Sequence, residues 1–234
     1  MWLLEVITYF GEGFDCNSYL IVNKKDAILI DCSVSPEKLK SDLDRLGTTL
    51  CKIILTHGHF DHILTLDAVR AATGADVLVH ENDAEMLTDP YKNGYAHFFS
   101  DEFCVQPADS TFSDTYKMFG ISSHNPYIEE DHGESRGIIT LIPIHTPGHS
   151  KGSMCFRCGD MLFTGDTLFA NNIGRSDLYG GDGATLYRSL KKLSTLRPFE
   201  DSGVITIYPG HGPISTLERE IKHNYYIRDA LAFE

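Results

Sequence analysis

Residues 51 to 62 read CKIILTHGHFDH, an apolar run of strand length that ends on three histidines and an aspartate. A lone histidine is usually packed in a core or solvated, but a H-x-H-x-D-H run rarely arises by chance. The chain supplies three further ligand candidates, each at the end of an apolar run and each beside glycine or proline: His149 in HTPGHS, Asp166 in LFTGDTLF and His211 in YPGHGP. Those neighbours permit tight turns that bring backbone close to an ion without a side-chain clash. A fold that uses these groups together has to gather distant strand ends at one place.

The residue types narrow the chemistry. Imidazoles mixed with carboxylates suit zinc, iron or manganese. In a loop as compact as 57–62, alternate residues can turn toward one ion while Asp61 and His62 turn toward a second. With Asp166 able to bridge, the seven groups would hold two ions about 3.5 Å apart, and a hydroxide between them would be the nucleophile.

Strand signals come early in EVITYF, NSYLIV and DAILID, each rich in apolar or β-branched residues and bounded by turn formers. A helix is expected across SPEKLKSDLDRLG, with Pro36 near its start, Leu39, Leu43 and Leu46 on one face, and Gly47 as its stop. CKIILT is a buried strand, LTLDAVRAATG a second helix and ADVLVH a further strand. The second half continues with strands in GIITLIPIHT, SMCFRC, DMLFTGD and VITIYPG, a helix across ATLYRSLKKLSTL, and one final helix in TLEREIKHNYYIRDAL. Two mixed sheets with helices packed outside would bury all these faces in four layers, as one α/β (α+β) domain spanning residues 1–234. Residues 96–136 show the least periodicity and read as a surface excursion, with a lid or partner contact as the alternative.

The formal net charge of −13 argues against a nucleic-acid partner, because phosphate binding relies on clusters of Lys and Arg and none is visible. No apolar run approaches the roughly 20 residues of a membrane helix, and MWLLEVITYFGEG lacks a basic leading region, so a cytoplasmic protein is expected. The six cysteines show no secreted-domain spacing. Cys155 and Cys158 form a C-x-x-C, but RCGD has the composition of a hairpin turn and no second pair exists, so the pair is read as structural.

Together, THGHFDH, HTPGHS, GDTLF, GRSD and YPGHGP resemble the metallo-β-lactamase superfamily, and their combination is similar to its glyoxalase II-like branch, the hydroxyacylglutathione hydrolases. The resemblance runs from AILIDC to GHGPISTLERE. It implies an αββα sandwich with the site at one edge between the sheets. Carried over residue by residue, it places His57, His59 and His149 on one metal ion, Asp61, His62 and His211 on a second, and Asp166 between them. Asp31 would orient the loop by hydrogen bonds, and His145, Arg175 and Asp177 would support the site or face substrate. The ions would be zinc first, with iron or manganese as alternatives.

The implied reaction is hydrolysis of a small-molecule thioester or related ester, with Asp166 bridging the ions and Asp61 as the candidate proton acceptor. Full glyoxalase II enzymes carry a C-terminal helical domain that grips glutathione, whereas only residues 212–234 follow His211; Ser150 stands where the branch usually has threonine, and HNYYIR replaces the usual Asn-Pro. These departures leave the thiol carrier open without touching the ligands. The rivals are a mono-iron persulfide dioxygenase using His57, His149 and Asp166, a lactonase of the same fold, and a metal-bound module without catalysis. Flavodiiron chemistry is disfavoured, because that branch has H-x-E-x-D where this chain has His59.

Overall fold

Side chains alternate along the strands between three separate cores, and that alternation defines the layers. A computed structural model describes residues 4–11, 16–117, 119–121, 139–199 and 203–233. In β2 (Ser18–Asn23), Leu20 and Val22 enter one core while Tyr19 and Ile21 enter another. The strand β3 (Asp26–Ile30) behaves alike, so both strands are buried along their whole length. Continuous apolar runs of this kind mark strands covered on both faces.

The first sheet runs in the order β1 (Glu5–Tyr9), β2, β3, β4 (Thr49–Ile54), β5 (Asp76–His80) and β6 (Ser110–Phe112). The steps β3 to β4, β4 to β5 and β5 to β6 are parallel. Two of the crossovers are helices, α1 (Pro36–Leu46) and α2 (Leu66–Thr73). Ser35 caps α1 by accepting from the Lys38 N–H, Pro36 opens it, and Gly47 ends it at a φ of 62°. Leu39, Leu43, Leu66 and Val69 then close over the outer face of the sheet. Burying one such side chain fully is worth about 1.5–3 kcal/mol.

The second sheet has the order β12 (Ser215–Thr216), β11 (Thr206–Pro209), β10 (Met161–Gly165), β9 (Met154–Cys158), β8 (Ile139–His145) and β7 (Phe119–Ile121). Its inner face supplies Phe119, Leu141, Phe156 and Phe163 to the core between the sheets. Its outer face packs Cys155, Leu162 and Ile207 against α3 (Gly183–Leu193), α4 (Leu217–His223) and α5 (Tyr225–Ala232). The result is the expected αββα sandwich.

Two expectations change in detail. The final helix is two helices, because Asn224 is extended at φ −72° and ψ 120° and caps α5 through its side chain. Its amide also donates to the carbonyls of Phe169 and Asn172, contacts that a continuous helix would not allow. The excursion at 96–136 is not merely a surface loop: β6 and β7 lie within it and form the outer strand of each sheet. Its lid reading rests partly on residues 118 and 122–136, which lie outside the described residues. Cys155 and Cys158 face different cores, so their C-x-x-C is not a chelate. Among the described residues, no helix is long and apolar enough to cross a membrane.

Candidate metal centre

Parallel strands end on the same side, and here each sheet delivers ligand-bearing loops to one edge. The strands β3, β4 and β5 run parallel, so Asp31, the 56–62 loop and the segment after His80 share that edge. In the other sheet β10 and β11 are parallel, and β8 runs with β10 because each is antiparallel to β9. Their ends carry His149, Asp166 and His211. Contacts between the sheets fix the alignment: Asn17 and Tyr19 donate to the Pro209 carbonyl at 3.0 and 2.6 Å, and the Met154 N–H donates to the Thr56 carbonyl at 2.9 Å.

One ligand set consists of His57, His59 and His149. His149 Nε2 lies 3.0 Å from His57 Nε2 and 2.8 Å from His59 Nδ1. The other nitrogen of His149 donates to the Arg175 carbonyl at 2.6 Å, and His57 Nδ1 faces the Thr56 hydroxyl at 3.1 Å. These partners fix the tautomers, leaving bare lone pairs converging on one point. Burial pushes His59 down to about 3 and His57 well below the usual histidine value, helped by the surrounding imidazoles. His57 and His59 therefore stay neutral, as ligands must.

Asp61, His62 and His211 form a second set whose ligand atoms lie within 4.8 Å of one another. His211 Nε2 sits 3.0 Å from Asp61 Oδ2, on the more open side of the site. Asp166 stands between the sets, with Oδ2 3.6 Å from both His149 Nε2 and His211 Nε2 and Oδ1 3.1 Å from His62 Nε2. Both Asp166 Oδ1 and His62 Nε2 are buried, and neither makes a hydrogen bond among the described residues. Orphaned buried atoms that face each other are costly unless something shared lies against them. Five imidazoles and two carboxylates so arranged fit a dinuclear metal site.

The electrostatics of the second set are opposite to those of the first. Burial disfavours charge on His62, but Asp31, Asp166 and Asp61 outweigh it and hold its pKa well above the ordinary value. Cys16 also touches this group, yet burial pushes its thiol up to about 12, so the carboxylates carry the effect. His211 is raised as well: burial opposes its charge, and Asp166 and Asp61 overcome that. Burial likewise opposes ionisation of Asp166 and Asp61, while His62 and His211 keep both ionised.

The space above these groups is a cavity of about 290 Å³ lined by ligands and by Phe60, Asn93, Phe98, Phe169, Gly174, Arg175 and Leu178. Two glycines let the backbone close around it. A Cβ on Gly210 would fall 2.2 Å from Asp166 Oδ1, and one on Gly174 would fall 1.9 Å from the Asp166 carbonyl.

The sequence pattern of the Metallo-beta-lactamase superfamily matches residues 11–211. The chain belongs to that superfamily. The probable metallo-hydrolase YqgX of Bacillus subtilis (strain 168) is 32% identical over 90% of this chain and 92% of its own length. Among solved structures, BLEG-1 B3 metallo-beta-lactamase is 31% identical with a TM-score of 0.80, covering 95% of this chain and 99% of that one. TTHA1623, solved in a di-iron-bound form, is 28% identical with a TM-score of 0.71, covering 94% and 99%.

In this superfamily member all seven expected ligands come together, whereas the supporting residues divide. Asp31 accepts from the Thr56 N–H at 2.8 Å and its hydroxyl at 2.9 Å, and meets His62 Nδ1 at 2.9 Å. Arg175 reaches the centre through its backbone carbonyl, and its guanidinium pairs with exposed Asp177 at 2.6 and 2.8 Å. His145, expected as a supporting or substrate-side group, is neither in a ligand set nor on the cavity wall. It stacks on His80 with centroids 4.7 Å apart and faces the Lys151 carbonyl at 2.9 Å.

Sequence reasoning missed Asp83. Its fully buried carboxylate accepts from Ser150 Oγ at 2.6 Å, the Gly152 N–H at 2.7 Å and the Gly58 N–H at 3.3 Å. One group thus ties the loop of His57 and His59 to the loop of His149. Burial raises its pKa while these donors pull it down. Nothing in HENDAEML signals this role, because the residue's partners are distant in sequence. Cys16, beside Asp31 and His62, was equally silent.

Proposed function

We propose that the chain is a dinuclear metal-dependent hydrolase of the glyoxalase II-like kind, cleaving a small-molecule thioester or related ester. The observation that carries this reading is the arrangement of seven ligand residues as two adjoining sets with Asp166 between them, at the floor of a cavity that no serine or cysteine lines among the described residues. The carboxylates and imidazoles on that wall belong to the ligand sets, which supports water as the nucleophile.

His57, His59 and His149 would hold one ion, and Asp61, His62 and His211 the other, with Asp166 reaching both. Zinc suits this mixed nitrogen and oxygen set, as do iron and manganese. Two divalent ions bound there supply Lewis acidity and bring the ionisation of water toward neutral pH. The chain's own groups do the rest. Burial keeps His57 and His59 uncharged, and Asp31 holds the ring of His62 by its Nδ1. Asp61, on the open side and 3.0 Å from His211, is placed to accept the proton that water loses. Phe98, Phe169 and Leu178 narrow the space in which substrate meets water.

A mono-iron dioxygenase would use His57, His149 and Asp166 and share the other motif residues, so oxygen uptake, and not the ligand set, separates it from the hydrolase. A lactonase shares the hydrolytic site and differs in yielding no thiol. The test is thiol release from a glutathione thioester by metal-loaded protein, abolished by a chelator and restored by zinc. Turnover of lactones alone would replace the thioesterase reading, and turnover of neither would leave a binding module.

A further inference from the structure

The cavity over the ligands has one chemical character. Phe60, Phe98, Phe169 and Leu178 form the apolar part of its wall, while the fully buried Asn93 commits its polar atoms elsewhere, its amide donating to the Phe103 carbonyl at 2.9 Å and its oxygen accepting from the Tyr95 N–H at 2.9 Å. The rings are braced against one another: Phe60 lies 5.9 Å from Phe98 and 5.4 Å from Tyr95, and Phe169 meets the edge of His211 at 5.8 Å. Asn224 holds the Phe169 backbone from the C-terminal helices.

Among the described residues, Arg175 is the one lysine or arginine on this wall, and it is paired with Asp177. Its Nε and NH2 groups meet the two oxygens of Asp177, and its guanidinium lies 5.7 Å from the centre of the Phe98 ring. An anionic substituent turned toward Phe60, Phe98, Phe169 and Leu178 would lose water there and meet no lysine or arginine of the described lining that is not already paired. At about 290 Å³ the space is at the small end of ligand pockets. It suits a short branched or aromatic group and not a long chain.

We propose that this cavity is an acyl pocket that selects substrates whose acyl group is short, uncharged and apolar, of the arylacetyl or branched-alkanoyl class, and discriminates against acyl groups bearing a second carboxylate. The inference rests on the hydrolase reading above. In the reaction water adds at the acyl carbon, the carbon–sulfur bond breaks and a carbon–oxygen bond forms. The products are the apolar carboxylate and the thiol, with one proton released to solvent.

The experiment holds the leaving thiol constant and varies the acyl group. Acetyl, isovaleryl, phenylacetyl and succinyl thioesters of N-acetylcysteamine are compared by kcat/KM on the zinc-loaded full chain. Phenylacetyl and isovaleryl are expected to exceed acetyl by about 10-fold or more, the usual worth of filling an apolar pocket, with succinyl lowest. Phe98→Ala, at a side chain 43% exposed and so removable without opening a core, is expected to bring the phenylacetyl-to-acetyl ratio toward one. Succinyl equal to or faster than phenylacetyl overturns the pocket while leaving the hydrolase intact. If no thioester is cleaved, the hydrolase reading has failed and binding decides the pocket: phenylacetate raising Tm more than succinate supports it, and the reverse order overturns it.

Discussion

Asp31 meets His62 Nδ1 at 2.9 Å from a backbone in the left-handed region, at a φ of 56°. Aspartate tolerates that conformation better than most residues with a Cβ. The same carboxylate receives the Thr56 N–H, so one residue fixes both the ring of His62 and the start of the ligand loop. Partners that orient a ligand in this way commonly contribute 10- to 100-fold in affinity, roughly. Asp31→Asn is expected to weaken binding of the second ion by about that factor while the first ion changes little. Stepwise metal titration checks this, and an equal loss at both ions would contradict it.

Asp83 ties together the two loops that carry His57, His59 and His149. Its loss would leave the Gly58 and Gly152 N–H groups and the Ser150 hydroxyl buried without an acceptor. Each such group costs about 1–3 kcal/mol when left unpaired. Asp83→Ala is expected to lower stability by a few kcal/mol, at the upper end of point substitutions, and to weaken the first ion more than the second. Urea unfolding with and without bound metal separates the two effects.

Gly174 and Arg175 are neighbours with opposite expected sensitivities. Gly174→Ala would drive a Cβ into the Asp166 carbonyl, and the shift needed to relieve it displaces a ligand. Arg175→Ala keeps the backbone carbonyl that orients His149. Metal content should fall sharply in the first variant and stay near that of the parent in the second. Elemental analysis of both, purified identically, decides it.

His80 gives the expected acid sensitivity outside the ligand sets. Burial, reinforced by the neighbouring His145, holds its pKa down to about 4. An unfolded chain would protonate this ring near the usual histidine value of about 6.5. The unfolded state thus binds more protons between those values, and stability should fall as pH drops from about 6.5 to 4. His80→Asn retains an acceptor for the Asn82 N–H and is expected to flatten that part of the Tm-against-pH curve. An unchanged slope would remove His80 as its cause.

What was legible in the sequence was the part encoded at short range. His57, His59, Asp61 and His62 announce themselves by spacing, and His149, Asp166 and His211 by the glycines and prolines beside them. The apolar strand runs between turn formers, and the helix signals that follow them, pointed to the layers in the same way. Asp83 was hidden because its role depends on Gly58 and Ser150, which only the fold brings near. The break at Asn224 was hidden because the hydrophobic spacing of Leu217, Ile227 and Ala230 continues across it, while the cause lies in the carbonyls of Phe169 and Asn172. The strands β6 and β7 are three residues each and exist by pairing with β5 and β8, which local pattern does not reveal.

Hydrolysis as proposed requires the Asp166-linked ligand sets to hold two ions. The most direct measurement is metal content and identity in protein purified without added metal, with thiol release and oxygen consumption followed on the same sample. The expected result is about two equivalents of zinc, iron or manganese with thiol release from a thioester and no oxygen uptake. One equivalent of iron with oxygen uptake on a persulfide would contradict it.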